Sequence, residues 1–191
     1  IESVKTFPKP TDVTKVKSFL GLCSYYRRFI RNFAQIAEPL NSLLKKNTRF
    51  IWLQVHETAF NELKQALSEA TLLVYPNYNL PFLLQTDASG QGIAAILAQE
   101  IDGQEFPVAF ASRALRDAEK NYPVFEQEAL AVVWGFTQFH TYLSQRKTIV
   151  VTDHAALQYI LKKPNKSPRI ARWGLSLQEY DFEVKHWIKV F

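Results

Sequence analysis

Cysteine is nearly absent from this sequence, because Cys23 is the only one among its 191 residues. A single thiol excludes an internal disulfide framework and favours a reducing compartment. The four histidines are scattered and give no zinc-binding spacing with the one cysteine. No apolar run approaches the roughly 18 residues that a membrane helix needs, and no signal-peptide pattern opens the chain. We therefore expect an intracellular protein that does not span a membrane and, because the chain begins at Ile1 rather than Met, a piece of a longer one.

Apolar residues are plentiful at 47%, which is enough for a hydrophobic core and argues against general disorder. The net charge of +5 is unevenly distributed. Residues 1–75 carry 11 Lys and Arg against 6 Asp and Glu, whereas residues 76–191 carry 12 of each kind. An excess of positive charge in one part of a chain suits a polyanion such as nucleic acid. Ordinary surface charge is the alternative explanation.

Helical periodicity dominates the first part of the chain, where apolar residues recur every three or four positions. The predicted helices cover residues 13–32, 34–46 and 58–70. Pro39 falls within the second of these segments and is expected to start or break that helix. Turn-forming residues at Tyr75–Tyr78 mark a boundary. These patterns predict a small helical unit over residues 1–75.

Alternating and β-branched runs replace the helical pattern in residues 76–191. The predicted strands cover residues 81–87, 92–100, 106–112, 148–152 and 180–184. The predicted helices cover residues 122–143, 154–162 and 169–178. Three consecutive strands, a long helix and a fourth strand indicate a mixed α/β fold. The crossover through the long helix predicts that the fourth strand runs parallel to the first.

Carboxylates stand at the ends of two predicted strands. Asp87 ends the first strand and Asp153 ends the fourth, while Glu126 and Glu128 lie near the start of the long helix. If these strands are parallel neighbours, both aspartates emerge at the same edge of the sheet. Three converging carboxylates repel one another without a cation, and oxygen ligands favour magnesium or manganese. A site of this kind, with two ions about 3.5–4 Å apart, cleaves phosphodiesters.

Each of these acids also has a purely structural explanation. Asp87 could cap a hairpin turn, and Asp153 could cap the helix that follows it. Glu126 and Glu128 could be acids of a first helical turn, which the helix dipole favours. Only the combination of the acids favours a metal site.

Longer motifs occur in both parts of the chain. In the first part they are residues 19–30, 37–40, 50–52 and 59–64. In the second part they are residues 86–89 with Gly92 and Gln99, 126–133, 151–154 with Leu157, 169–173 and 179–182. Together these motifs resemble the C-terminal part of the reverse transcriptase of gypsy-type LTR retrotransposons, with its ribonuclease H motifs in the second part. Nearly the whole chain is covered.

The resemblance implies a ribonuclease H-like mixed five-stranded sheet with flanking helices, preceded by a small all-helical thumb or connection segment. It implies that Asp87, Glu128 and Asp153 are catalytic and hold two magnesium or manganese ions. Glu128 is preferred to Glu126 because the catalytic glutamate of the family precedes a small or apolar residue and then Leu-Ala. The implied reaction is hydrolysis of the RNA strand of RNA–DNA hybrids during reverse transcription. The implied partners are the hybrid and the polymerase (fingers–palm) part of the same polyprotein, and the implied location is the cytoplasm or a retrotransposon particle.

The family also carries a fourth carboxylate beyond the last strand, and the sequence ends at Phe191 without it. Truncation and loss both explain this difference. The resemblance then implies that the fragment as given binds metal weakly and cleaves poorly. Two alternatives to an active nuclease remain: an impaired or domesticated ribonuclease H-like module that binds nucleic acid or protein, and a purely structural connection domain.

Basic residues form two groups that we predict to contact the phosphates of a hybrid. The first group is Arg27, Arg28 and Arg31, with Lys45 and Lys46 further along. The second group is Lys162, Lys163, Lys166, Arg169 and Arg172, a run that contains no acid. A solvated protein surface is the alternative, and nothing in the sequence indicates that individual bases are read.

Overall fold

The computed structural model describes residues 7–46, 48–68, 73–152 and 167–186 of the chain. The helix predicted over residues 154–162 lies outside these ranges. Over the ranges that are described, every helix is too short or too polar to cross a lipid bilayer.

Helices and a short 3₁₀ turn form the first unit: α1 (Val13–Tyr25), the 3₁₀ turn (Arg27–Phe29), α2 (Phe33–Ser42) and α3 (Gln54–Ser68). The prediction of one helix over residues 13–32 is wrong, because α1 ends at Tyr25. Ile30 is extended, and Asn32 has a left-handed backbone with a φ of 55°, through which a right-handed helix cannot continue. Pro39 lies inside α2, so the expectation that it starts or breaks the helix is also wrong.

The first unit has a hydrophobic core of its own, to which each helix contributes one face. Phe19 of α1 and Phe60 of α3 are buried, and their ring centroids lie 4.6 Å apart. Phe7 packs on Phe19 from the preceding segment. Cys23 is fully buried in the same cluster, and burial raises the pKa of its thiol to about 12. Cys23 is therefore a core residue and not a reactive thiol.

Five strands form one mixed sheet in the second unit: β1 (Phe82–Ala88), β2 (Gly92–Ile101), β3 (Gln104–Ala114), β4 (Thr148–Thr152) and β5 (Phe182–His186). Their order across the sheet is β3-β2-β1-β4-β5. β1 pairs antiparallel with β2 and parallel with β4, and β4 pairs parallel with β5. The predicted mixed sheet, including the parallel pairing of the first and fourth strands, is confirmed.

Helices flank this sheet: α4 (Asp117–Lys120), α5 (Val124–Gln138), α6 (His140–Leu143) and α7 (Pro168–Ser176). The long helix predicted over residues 122–143 is thus two helices, and α4 has no counterpart among the predicted helices. α5 packs closely on β1, because a Cβ atom at Gly135 would lie only 3.2 Å from a methyl carbon of Leu84. This contact fixes α5 over the strand that carries Asp87.

Ser112 of β3 joins the two units. Its hydroxyl accepts a hydrogen bond from the backbone N–H of Ala34 at 2.9 Å, and its carbonyl oxygen accepts one from the Arg27 guanidinium at 2.7 Å. Ala34 lies in the first turn of α2, whose N-cap residue Asn32 makes no side-chain capping bond. The second unit therefore supplies the cap that α2 lacks in its own sequence.

Replacing Ser112 with Ala is expected to lower the free energy of unfolding by about 1 kcal/mol, because the N–H of Ala34 loses its acceptor at a part-buried position. Denaturant unfolding measures this change. Ser176→Ala is the matched control, since Ser176 is exposed and its hydroxyl donates to the carbonyl oxygen of Trp173 within α7, and it is expected to change stability by less than about 0.5 kcal/mol. Equal stabilities of the two variants would contradict the capping role.

Candidate active site

Asp87 lies exposed near the end of β1, where it pairs with Ala94 of β2. The turn that follows is closed by Ser89. The N–H and the hydroxyl of Ser89 donate to the carbonyl oxygen of Gly92 at 2.9 and 3.1 Å, and the N–H of Gly92 donates to the Ser89 hydroxyl at 3.1 Å. Capping of this turn was the structural explanation considered for Asp87. Ser89 makes these bonds, so the Asp87 carboxylate is not needed to hold the turn.

The two glutamates near the start of α5 have different surroundings. Glu126 is only 6% exposed and forms an ion pair with Arg169 of α7. The same guanidinium stacks on the ring of Tyr122, with its Cζ 3.7 Å from the ring centroid. Glu126 is therefore engaged in joining α7 to the first turn of α5.

Glu128 lies two residues further along α5 and is 8% exposed. Each helical residue advances by about 100°, so Glu128 and Glu126 point to nearly opposite sides of the helix. Leu130, one half-turn later, belongs to the hydrophobic cluster against which Ala88 packs. Because Ala88 directly follows Asp87, this contact holds the beginning of α5 at the same end of the sheet as Asp87.

A buried amide between the two glutamates fixes the first turn of α5 from another side. The Nε2 of Gln127 donates to the carbonyl oxygens of Glu119 and Lys120 at 3.3 and 3.2 Å. The Glu119 carboxylate pairs with Arg113 of β3 at 2.6 Å and accepts the N–H of Arg116 at 2.8 Å. α4 thus connects β3 to the turn that carries Glu128. These supports could not be predicted from the sequence, because they join different elements and leave no local pattern.

Burial alone would raise the pKa of Glu119, but Arg113 and the Arg116 N–H more than offset it and hold that pKa below the ordinary value of 4.5. A carboxyl group with a lowered folded-state pKa stabilises the fold above its unfolded pKa, and this stabilisation is lost as the pH falls through the folded pKa. We therefore expect the free energy of unfolding to fall below about pH 4.5 less steeply in Glu119→Gln than in the native chain. Urea unfolding at several pH values measures this, and identical slopes would contradict it.

β4 runs toward the same edge of the sheet as β1. Gln85 of β1 pairs in parallel with Val151 of β4, and Asp87 and Asp153 each follow these residues by two positions in the sequence. Asp153 itself lies outside the described residues, as do Lys162, Lys163 and Lys166.

Asp87 and Glu128 are thus the two predicted metal ligands whose places are known. Among the residues that the structure describes, which exclude Asp153, there is no group of three His, Cys, Asp or Glu side chains that could hold a metal ion. The available donors still fit such an ion chemically, because carboxylate oxygens are the ligands that magnesium and manganese prefer.

The arginines predicted to contact phosphates have different environments. Arg27 bonds to Ser112, with its guanidinium 5.5 Å from the ring of Phe33, and Arg169 pairs with Glu126. Both therefore have roles within the fold. The remaining members, Arg28, Arg31 and Arg172, are exposed. Contact with phosphates stays a prediction for the whole set.

Residues 77–180 match the family model described as "RNase H-like domain found in reverse transcriptase". The chain belongs to this family. It is 39% identical to the retrovirus-related Pol polyprotein from transposon 412 and 37% identical to that from transposon gypsy, both of Drosophila melanogaster, over 96% of the chain. It is 32% identical to the transposon Tf2-3 polyprotein of Schizosaccharomyces pombe over 97% of the chain. The resemblance predicted from the motifs is confirmed.

The RNase H-like chain covers only 15%, 19% and 14% of these three polyproteins, respectively. Its fold also matches a solved foamy viral protease–reverse transcriptase in complex with an RNA/DNA hybrid, with a TM-score of 0.78 and 20% identity, over 100% of this chain and 26% of the viral one. A structure of the viral protein with double-stranded DNA gives a TM-score of 0.81 at 19% identity, over 100% of this chain and 41% of the viral one. At these identities the matches confirm the ribonuclease H-like fold.

Proposed function

We propose that this chain is the ribonuclease part of a retrotransposon reverse transcriptase and hydrolyses the RNA strand of RNA–DNA hybrids. The parallel pairing of β1 with β4 carries the proposal most directly, because it directs the ends of both strands to one edge of the sheet. Family membership supports the same chemistry, as does the hybrid in the complex of the related viral protein.

The proposed ligands are Asp87, Glu128 and Asp153. When bound there, divalent ions would activate a water molecule and stabilise the departing 3′ oxygen of the cleaved strand. Asp87 is exposed and so is open to a phosphodiester that approaches the edge of the sheet. Glu128 is buried just after the first turn of α5.

The ion pair with Arg169 argues against Glu126 as a ligand. A carboxylate that already accepts hydrogen bonds from a guanidinium offers fewer lone pairs to a cation. The Glu126–Arg169 ion pair also orients the first turn of α5. It therefore helps to position Glu128, which follows that turn, and does not itself take part in the reaction.

We also propose the division of the chain into a helical thumb or connection segment, residues 1–75, and a ribonuclease H-like domain, residues 76–191. Separate hydrophobic clusters support it, one within α1–α3 and others between the sheet and α5. The polymerase part of the parent polyprotein is the proposed neighbour of the helical segment, since the relatives extend far beyond the matched region.

Cleavage of end-labelled duplexes tests the proposed function. With magnesium or manganese present, the chain is expected to cut the RNA strand of an RNA–DNA hybrid and to leave duplex DNA of the same sequence intact. Tight binding of the hybrid without cleavage would instead support a module that only binds nucleic acid. A chain that neither binds nor cuts the hybrid would contradict the proposal.

A further inference from the structure

A cleft of about 600 Å³ separates α2 from the turn that follows Asp87. One wall contains Arg31, Gln35 and Ile36, and the other contains Ser89 and Gln91. A volume of this size is typical of sites for small ligands, and the mixture of apolar, amide and cationic side chains suits a sugar–phosphate unit.

The cleft opens beside the proposed catalytic carboxylate. Ser89 follows Asp87 by two residues, so their Cα atoms are at most about 7 Å apart. A nucleic-acid strand advances by about 3.4 Å along its axis per nucleotide. A strand whose phosphate lies at Asp87 therefore reaches the cleft within about two nucleotides.

The sheet places α2 on the same side as Asp87. Asp87 pairs with Ala94, and Ala94 pairs with Ser112, which caps α2. Residues directly opposite one another on antiparallel strands project to the same face. Two strand spacings amount to about 10 Å, so the helical unit borders the face of the sheet from which the Asp87 side chain extends.

An unmatched amide lies in the wall of the cleft. The Nε2 of Gln35 makes a long bond of 3.4 Å to the Ser89 hydroxyl. Because that hydroxyl donates its proton to Gly92, it faces Gln35 as an acceptor, and the Oε1 of Gln35 points elsewhere. This oxygen is buried and has no hydrogen-bond partner within the described part of the chain. A buried acceptor without a partner is costly, and the 2′-hydroxyl of a ribose held in the cleft would supply the missing donor once the amide rotates toward it.

Arg31 is the only cation in the lining of this cleft as described. It is exposed and forms no ion pair with another described residue, in contrast to Arg169. Glu38 also lines the cleft and opposes an anion there, so attraction must come from direct contact with the Arg31 guanidinium rather than from the overall charge.

We propose that this cleft holds the backbone of the cleaved strand within two nucleotides of the scissile phosphate, with Arg31 as the phosphate contact. The proposal rests on the proposed function and adds a substrate contact supplied by the helical unit. The helical unit is then part of the nuclease site, and its contact limits the position of the cut along a bound strand.

Single methylphosphonates, which remove the charge of one phosphate, test the contact. They are placed in turn around the cut in an RNA–DNA hybrid, and binding is measured by fluorescence anisotropy with calcium in place of magnesium. In the native chain, one position within two nucleotides of the cut is expected to weaken binding roughly threefold to tenfold. Arg31→Ala is expected to weaken binding of the unmodified hybrid by a similar factor, to lower the slope of log affinity against log salt by about 1, and to lose sensitivity at that position.

Two further variants complete this test. Arg31→Lys is expected to restore part of the sensitivity, because it keeps the charge. Arg49→Ala removes an exposed arginine of the same unit that does not line the cleft, and it is expected to retain full sensitivity at that phosphate. If Arg31→Ala keeps the native sensitivity, the contact is overturned while the proposed function stands. If the native chain binds no hybrid at all, the proposed function fails and the contact falls with it.

Discussion

Asp87→Asn is expected to reduce cleavage of an RNA–DNA hybrid by on the order of 10³-fold or more at saturating magnesium. The amide has nearly the size of the carboxylate but lacks the negative charge that holds a divalent cation. The fold is expected to persist, because Ser89 and not Asp87 closes the turn through its bonds to Gly92. Single-turnover cleavage of a labelled hybrid measures the effect.

The two glutamates of α5 provide the internal control for this result. Glu128→Gln is expected to lose activity to a similar extent as Asp87→Asn. Glu126→Gln is expected to retain activity within about fivefold, because its amide oxygen still accepts a hydrogen bond from Arg169. Native rates in Asp87→Asn, or a loss in Glu126→Gln as large as in Glu128→Gln, would contradict the assignment of ligands.

Gly92→Ala is expected to destabilise the second unit by about 2 kcal/mol or more. A Cβ atom at Gly92 would lie 2.8 Å from the carbonyl oxygen of Arg113, which is backbone of β3 and cannot rotate away. Relief of this clash moves β3 relative to β2 and disturbs the Ser89–Gly92 bonds beside Asp87. Thermal unfolding measures the loss of stability, and hybrid cleavage by the folded fraction measures the disturbance.

Gly90→Ala is the matched control for this substitution. Gly90 lies in the same turn, but no atom within 4 Å would meet a Cβ there. Its effect is expected to stay within about 0.5 kcal/mol. If both alanine variants are equally stable, the close approach of β2 and β3 does not determine the requirement for glycine at position 92.

Much of the second unit could be predicted from local patterns, because its strands and helices have strong periodicities. The order of elements predicted the parallel pairing of β1 with β4, and the turn formers before residue 81 located the start of the sheet. Asp87 and Asp153 could be identified as candidate ligands because each follows an apolar run. The place of Glu128 on α5 was likewise evident from the sequence.

Features that depend on contacts between distant elements could not be predicted. α1 ends at Tyr25, and the extended Ile30 and the left-handed Asn32 separate it from α2, although residues 13–32 have continuous helical periodicity. The cap that Ser112 gives α2 comes from a strand 78 positions away along the chain. The partner of Arg169 is Glu126, 43 positions away, and the residues next to Arg169 in the sequence give no sign of this ion pair. In each case the stabilising contact joins elements that are distant in the sequence, so the local sequence does not indicate it.

Because of these contacts, the helical unit lies nearer to the candidate active site than its positive charge alone indicated. Its arginines were predicted to contact the phosphates of a hybrid, and that stays a prediction. Arg27 is also engaged with Ser112, and α2 lies along the face of the sheet that presents Asp87. A substrate strand that reaches Asp87 would therefore pass beside α2.

Calorimetric titration of manganese is the most direct measurement of the shared metal site, since it does not depend on cleavage. The native chain is expected to bind Mn²⁺. Loss of a group that only orients a metal ligand already costs about 10–100-fold in affinity, so Asp87→Asn and Glu128→Gln are each expected to weaken binding at least about tenfold. Glu126→Gln is expected to bind as the native chain does. The same affinity in all four proteins, or no binding by the native chain, would contradict a metal site built on Asp87 and Glu128.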